Sequence, residues 1–493
     1  MKKICLFLLL TTVCIAENKA NNITVNNLTL TGQNATNNTY QVQFDISWEN
    51  SWRTSTFESN YDAAWVFVKF KARTQANWSH GVLNLTGFVA PTGSTVEISP
   101  DARGAAIYRS ANGIGNTSFT GVQLQLNYGT TITDADRVEI CVYAIEMVHV
   151  NQGAFYAGDA SSTGTLRQIS QGSTVNPFQL TAENSLTLGG TALTSIGTRN
   201  NTSDDFDNVT LQTLSAAFPK GFNGFYCMKY EISMQQYCDF LNKLTAAQAL
   251  ARFPNQNGLT GHTIANTGSA PDLYITSTPD RACNYLSWSD LCAYADWSGL
   301  RPMTELEYEK ACRGIDAPLV DECAWGLSTG CGAVNTDLLA NAGLPNEAAT
   351  GLCIANGNFN NRFTNTSGAN VAARPLRCGF FAASATNKTR EETGATFWGI
   401  MEMGGNVEEQ VIGIGTAAQR TFTGLHGNGS LAASGDCDIA NLSLAEYSKK
   451  GGTFDGSVGI NTYRVSDRSR INSTDGNTLR SSTRGGRLVR TTF

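Results

Sequence analysis

From Asn22 to about Tyr143 the apolar positions recur every second residue. Tyr40, Val42, Phe44, Ile46 and Trp48 alternate with Gln41, Gln43, Asp45 and Ser47, the pattern of a strand with one buried face. Val122, Leu124, Leu126 and Tyr128 repeat it, as do Val138, Ile140, Val142 and Ala144. Ala64–Phe70 (AWVFVKF) is apolar at almost every position and predicts a strand buried on both faces. Turn-rich stretches at Gly32–Asn38 and Pro91–Ser94 separate these runs, and no helix is needed, so residues 17–143 are expected to form a β-sandwich. Trp48, Trp52, Trp65 and Trp78 fall in this region; core packing is the expectation, and a carbohydrate-stacking platform is the alternative.

The pattern then changes. Residues 159–220 are rich in Ser, Thr, Gly and Asn and read as a polar surface insertion. Helices follow, each with a start signal. Ser233-x-x-Gln236 opens SMQQYCDFLNKL with Tyr237, Phe240 and Leu241 on one stripe, and Thr304-x-x-Glu307 opens TELEYEKACRG. Ser287-x-x-Asp290 sets a carboxylate in the first turn of SWSDLCAYADW, which stops at Gly299. After Gly314 the chain is mostly loop, so disulfides or bound cations are expected to help hold it.

Composition narrows the partners. Only 15% of residues are charged, against about 25% in ordinary domains, and the net charge is −6, which excludes nucleic-acid binding through a basic face. Met1-Lys2-Lys3 followed by the apolar run Ile4–Ala16 predicts a signal peptide over residues 1–16, with small residues Cys14 and Ala16 before the cleavage point. A lipoprotein through Cys14 is the alternative. No later run is long enough to span a membrane, so the protein is expected to be exported: secreted, periplasmic or at the cell surface. Of 13 cysteines, ten crowd the second half, where an oxidising compartment allows disulfides; Cys292 and Cys312 lie at helix-face positions and read equally as small buried hydrophobes. The N-x-S/T sequons, Asn22 and Asn116 among them, are glycan acceptors only where that machinery exists.

Several stretches match one family in order. They are AIEMVHVNQGAFYAGD (Ala144–Asp159), GFYCMKYEISMQQYCDFLN (Gly224–Asn242), LSWSDLCAYADWSGLRPMTELEYEKACRG (Leu286–Gly314), GIMEMGGNVEE (Gly399–Glu409), GGTF (Gly451–Phe454) and RGGRLVR (Arg484–Arg490). Together they resemble the formylglycine-generating-enzyme, or sulfatase-modifying-factor, family. The resemblance implies an α+β chain: an N-terminal all-β sandwich followed, over 144–493, by a loop-rich C-type-lectin-like domain. FDISWENSW and DAAWVFVKF resemble the β-domain that precedes this module in exported proteins of Bacteroidetes-type bacteria.

The family's chemistry rests on copper held by two cysteines in the run after G-G-S-W/F, since Cu(I) prefers thiolates. Here that run, Asp455–Arg490, holds no cysteine, and Glu408 and Gln410 stand where G-N-V-W-E-W has tryptophans. Copper is therefore not expected. A second catalytic branch uses histidine-bound iron, but His80, His149, His262 and His426 form no H-x-H or H-E-x-x-H. The acidic pairs Glu305/Glu307 and Glu391/Glu392 read as helix starts or solvated loop rather than acid–base catalysts. Structural Ca2+ is implied by the resemblance, with Asn356, Glu402, Gly405, Val407 and Glu409 as its ligands.

The reading is a non-catalytic binding or structural protein, with no catalytic or cofactor-binding residues assigned. A protein or glycan ligand would sit on the loop face Asp455–Thr483, or the chain would self-assemble. Two alternatives stand beside it. One is a copper oxidase with displaced ligands such as Cys378 and Cys437. The other is a glycan-binding adhesin using the N-terminal tryptophans.

Overall fold

The computed structural model describes residues 22–493 apart from 160, 162–163, 169–175, 199–202, 270–271, 329–337, 342–343, 345, 350–363, 366–373, 385–388 and 474. The expected leader at residues 1–16 and Asn356 lie outside the described residues.

Nine strands form the first part: β1 Thr24–Asn34, β2 Thr39–Arg53, β3 Asp62–Ala72, β4 Ser79–His80, β5 Val82–Leu83, β6 Ser94–Ile98, β7 Ala105–Arg109, β8 Gly113–Asn127 and β9 Val138–Val150. One sheet runs β1-β2-β8-β5, and in β2 burial alternates strictly from Tyr40 to Trp48, as the period-two pattern predicts. Strand β1 carries on to Asn34, so the turn is shorter than the turn-rich stretch from Gly32 suggests.

The second sheet explains why β3 is apolar throughout. It contains β9-β3-β7-β6, continues from β9 into the strands Phe225–Met228, Leu488–Thr491 and Arg301–Pro302, and has β4 paired to β3. One face of β3 and β9 (Ala64, Val66, Val68, Ile140, Val142) packs on Val42, Phe44, Val122 and Leu124 of the first sheet. The other face (Trp65, Phe67, Tyr143, Ile145) packs on the helices, with Trp297 edge-on to Phe67 at 5.1 Å. Each face of the central sheet therefore has an apolar partner, so neither needs polar residues. Strand β9 passes without a break through residue 143, where the expected boundary falls.

The helices are α1 Met234–Leu241, α2 Ala246–Arg252, α3 Trp288–Ser298 and α4 Glu305–Arg313. The three expected N-caps are observed, and Ser287 forms a complete capping box with Asp290. Helix α2, opened by the capping box of Thr245 with Gln248, was not expected. Gly299 ends α3 in the left-handed conformation at φ 72°, which glycine adopts without a Cβ penalty.

The stretch 159–220 contains a four-stranded sheet of Leu166–Gln168, Ile196–Thr198, Leu186–Leu188 and Gln212–Leu214. It places Phe178, Leu180, Phe206 and Phe218 in the main core. Its strands are three residues long, too short to show a period.

Among the described residues, no helix is long and apolar enough to cross a membrane.

Candidate functional site

The loop Gly399–Glu409 leads into a short strand, Glu409–Val411, that pairs with Ser448–Lys450, so Glu409 lies opposite Lys450. Two of its non-glycine residues are held in left-handed backbone, Glu402 at φ 50° and Asn406 at φ 51°, beside Gly405 at φ 90°. Such conformations persist only where their surroundings fix them.

The fixing group is Arg487, which is fully buried. Its Nε donates to Glu409 at 2.5 Å, its backbone N–H donates to the same carboxylate at 3.0 Å, and its outer nitrogens donate to the carbonyls of Met401 and Glu402. Glu231 approaches the same guanidinium at 3.8 Å, and its Oε1 accepts from Asn406 Nδ2 at 3.0 Å. Glu402 Oε2 accepts from the Gly379 N–H at 2.9 Å.

Of the expected calcium ligands, the structure thus brings Glu402, Gly405, Val407 and Glu409 onto one loop. Both Glu409 oxygens are engaged by Arg487. Val407 packs with Ala282 and Cys378. Glu231 and Arg487 complete the cluster and were not assigned from sequence, although both lie inside the matched stretches GFYCMKYEISMQQYCDFLN and RGGRLVR.

Three carboxylates face one guanidinium here, and the electrostatics show it. Burial pushes the Glu402 carboxyl up to about 7. Burial likewise raises Glu231 well above the usual range and raises Glu409, although Arg487 opposes both shifts. Glu231 Oε2 and Glu402 Oε1 are buried without a hydrogen-bond partner. Spare carboxylate oxygens beside backbone carbonyls suit a hard cation. Yet no group of three or more His, Cys, Asp or Glu among the described residues is arranged to hold a metal. A cation here would therefore draw on Glu402, Glu231 and the loop carbonyls rather than on Glu409.

Next to this cluster lie Glu408 and Gln410. Glu408 pairs with Arg470, and Gln410 Nε2 donates to the carbonyls of Leu286 at 3.1 Å and Gly485 at 2.8 Å. The run 455–483 is tied down by further pairs. Asp475 meets Lys449 and Arg484, Arg468 bridges Asp204 and Glu305 at 2.8 Å each, and Arg480 grips Asp290 at 2.7 Å. Glu305 and Glu307 thus do more than open a helix, since Glu307 also binds Arg301 at 2.6 Å.

The described cysteines lie in the core. Cys227, Cys238, Cys283, Cys292, Cys312, Cys378 and Cys437 are free and buried, Cys141 is buried, and Cys323 is disulfide-bonded; Cys331 and Cys353 lie outside the described residues. Burial pushes the Cys312 thiol up to about 12 and raises Cys378 and Cys437 as well. Cys378 and Cys437 belong to separate clusters.

His80 and His262 are buried, and His149 and His426 are half-buried. His149 stacks on Tyr61 at 4.7 Å, His262 Nδ1 meets Asn284 at 3.0 Å, His426 accepts from the Thr491 N–H, and His80 Nε2 meets the Arg103 carbonyl. Trp48 and Trp65 are fully buried, while Trp52 is faced by Lys229 at 5.0 Å and Trp78 by Lys243 at 4.5 Å.

Comparison with known proteins agrees with the order of these motifs. The sulfatase-modifying factor enzyme 1-like domain matches residues 143–492. The chain belongs to this family. A 44-residue segment is 43% identical to the formylglycine-generating enzyme of Bos taurus, covering 9% of this chain and 12% of that enzyme. Domains D2 and D3 of the major pilin SpaD from Corynebacterium diphtheriae align at a TM-score of 0.12 and 10% identity, over 39% of this chain and 70% of that one. So low a score carries no argument. The sulfatase-modifying-factor match begins inside β9, so the family domain and the sandwich share one continuous strand.

Proposed function

We propose that this chain is an exported, non-catalytic binding or structural protein of the cell surface or envelope. In this reading the formylglycine-generating-enzyme-like scaffold has the C-type-lectin type of layout. The observation that carries it is the absence of any cysteine from Asp455 to Arg490, the run in which the family holds copper. The separate packing clusters of Cys378 and Cys437 support it. The face made by 455–483 would receive a protein or glycan, or a second copy of the chain.

The test is mass spectrometry of a cysteine-containing sulfatase-type peptide incubated with the full chain, copper and oxygen. No conversion is expected under conditions in which an active family member converts the same peptide. Formylglycine in the peptide would overturn the reading.

Structural Ca2+ belongs to the same proposal. The spare oxygens of Glu231 and Glu402 support it, because a bound cation would offset their unbalanced charge. Treatment with a chelator should then lower the melting temperature, and readdition of Ca2+ should restore it. A melting temperature indifferent to both would remove calcium from the proposal.

A further inference from the structure

A cleft of about 300 Å³ lies at the edge of the shared sheet and has no lining residue in common with the cluster around Arg487. The paired strands Arg301–Pro302 and Leu488–Thr491 contribute Arg301 and Thr491 to its lining, and the segment 423–426 contributes His426. Ala216, Ala217 and Pro219 give it apolar surface.

Hydrogen bonds fix what these side chains present. The Thr491 N–H donates to His426 Nε2 at 3.0 Å, so Nε2 carries the lone pair and the proton of the neutral ring sits on Nδ1. Burial, followed by the charges of Arg490 and Arg301, holds the imidazole well below its usual range, so the ring is neutral at physiological pH. Among the described residues, nothing accepts from Nδ1. Thr491 Oγ1 accepts from Arg301 Nη2 at 3.2 Å, which leaves its own hydroxyl proton to donate. Arg301 is 1% exposed; its outer nitrogens meet Glu307 at 2.8 and 2.6 Å, and its Nε is buried without a partner.

The two carboxylates at the cleft are already matched. Both Glu307 oxygens are held by Arg301, and Oε2 also accepts from the Thr304 N–H at 3.0 Å. Glu183 accepts from the Lys220 N–H at 2.9 Å and from the Asn223 N–H at 3.0 Å. What is left unspent is a set of donors in the field of two guanidiniums. Donors beside positive charge are best met by an acceptor that carries negative charge. A phosphate dianion would need more cation than is available, because Arg301 is paired with Glu307. A carboxylate brings a single charge, and the apolar surface suits a short aliphatic chain behind it.

We propose that this cleft binds a short-chain carboxylate, its oxygens accepting from His426 and Thr491 and its aliphatic part lying against Ala216, Ala217 and Pro219. A free acid and the C-terminus of a peptide share this chemistry, and the experiment separates them.

The experiment is saturation-transfer NMR on the full chain at constant ionic strength, with three probes: butyrate, trialanine as the free acid, and trialanine as its C-terminal amide. Saturable binding of an acid is expected, with none by the amide. Butyrate binding assigns the cleft to a free acid, and binding by the trialanine acid alone assigns it to a peptide terminus. Thr491→Val keeps the N–H that holds His426 but removes a donor, and His426→Phe keeps a ring in place without one. Each should weaken the acid about tenfold. The proposal is overturned if neither acid binds, if the amide binds as well as the acid, or if both variants keep wild-type affinity. If His426→Phe does not fold, Thr491→Val decides.

Discussion

The sandwich and the loop-rich remainder of the chain solve the same problem by different means. Between the two sandwich sheets the side chains are apolar, and backbone polar groups are paired strand to strand. Beyond β9, long segments lack that option. There Arg301, Arg313, Arg468 and Arg487 are among the largest fully buried side chains, and each is paired with at least one carboxylate. A guanidinium offers five donors in a rigid fork, so Arg487 can bind a carboxylate and several loop carbonyls at once. A chain with few charges has placed many of them inside, in the part where the sheets stop.

The strongest way to break this contrast is Arg487→Met. It leaves Glu231, Glu402 and Glu409 buried without their shared cation, and should cost about 5 kcal/mol in denaturant unfolding. The matched control, Phe44→Ala between the sandwich sheets, should cost about 3–4 kcal/mol by leaving a cavity. If Arg487→Met proves the milder of the two, guanidinium pairing is not what holds the loops.

A smaller effect sharpens the comparison at the seam. Burial lowers the His149 imidazole to about 4, and the ring stacks on Tyr61 where the sandwich meets the strand Phe225–Met228. A depressed histidine favours the neutral form in the folded state. Its contribution is fully present above the unfolded value of about 6.5 and is lost as pH falls towards about 4. The loss should be on the order of 2–3 kcal/mol, and His149→Phe should flatten that part of the stability–pH curve. An unchanged slope in the variant would place the acid sensitivity elsewhere.

The legible parts of the fold are those with local causes. Strand β2 announced itself by alternation, β3 by its unbroken apolar run, and three helices by capping residues spaced to satisfy their own first turn. The sheet within 159–220 was not legible because its short strands bury one or two residues each, and the partners of those residues lie far along the chain. At the candidate site, the Gly399–Glu409 loop was visible as a motif. The role of Glu409 as the partner of Arg487 was not, because 78 residues separate them. Glu231 was hidden for the same reason.

By itself, then, the sequence determined the periodic elements, the capped helices, the family and a cysteine-free run from Asp455 to Arg490, since each is written in residue types at short or fixed spacing. Tertiary structure alone decided that sandwich and family domain share one sheet. It alone gathered three carboxylates around Arg487 and brought His426 to one cleft with Arg301 and Thr491. Those outcomes depend on which distant segments exclude water together, and no local pattern records that.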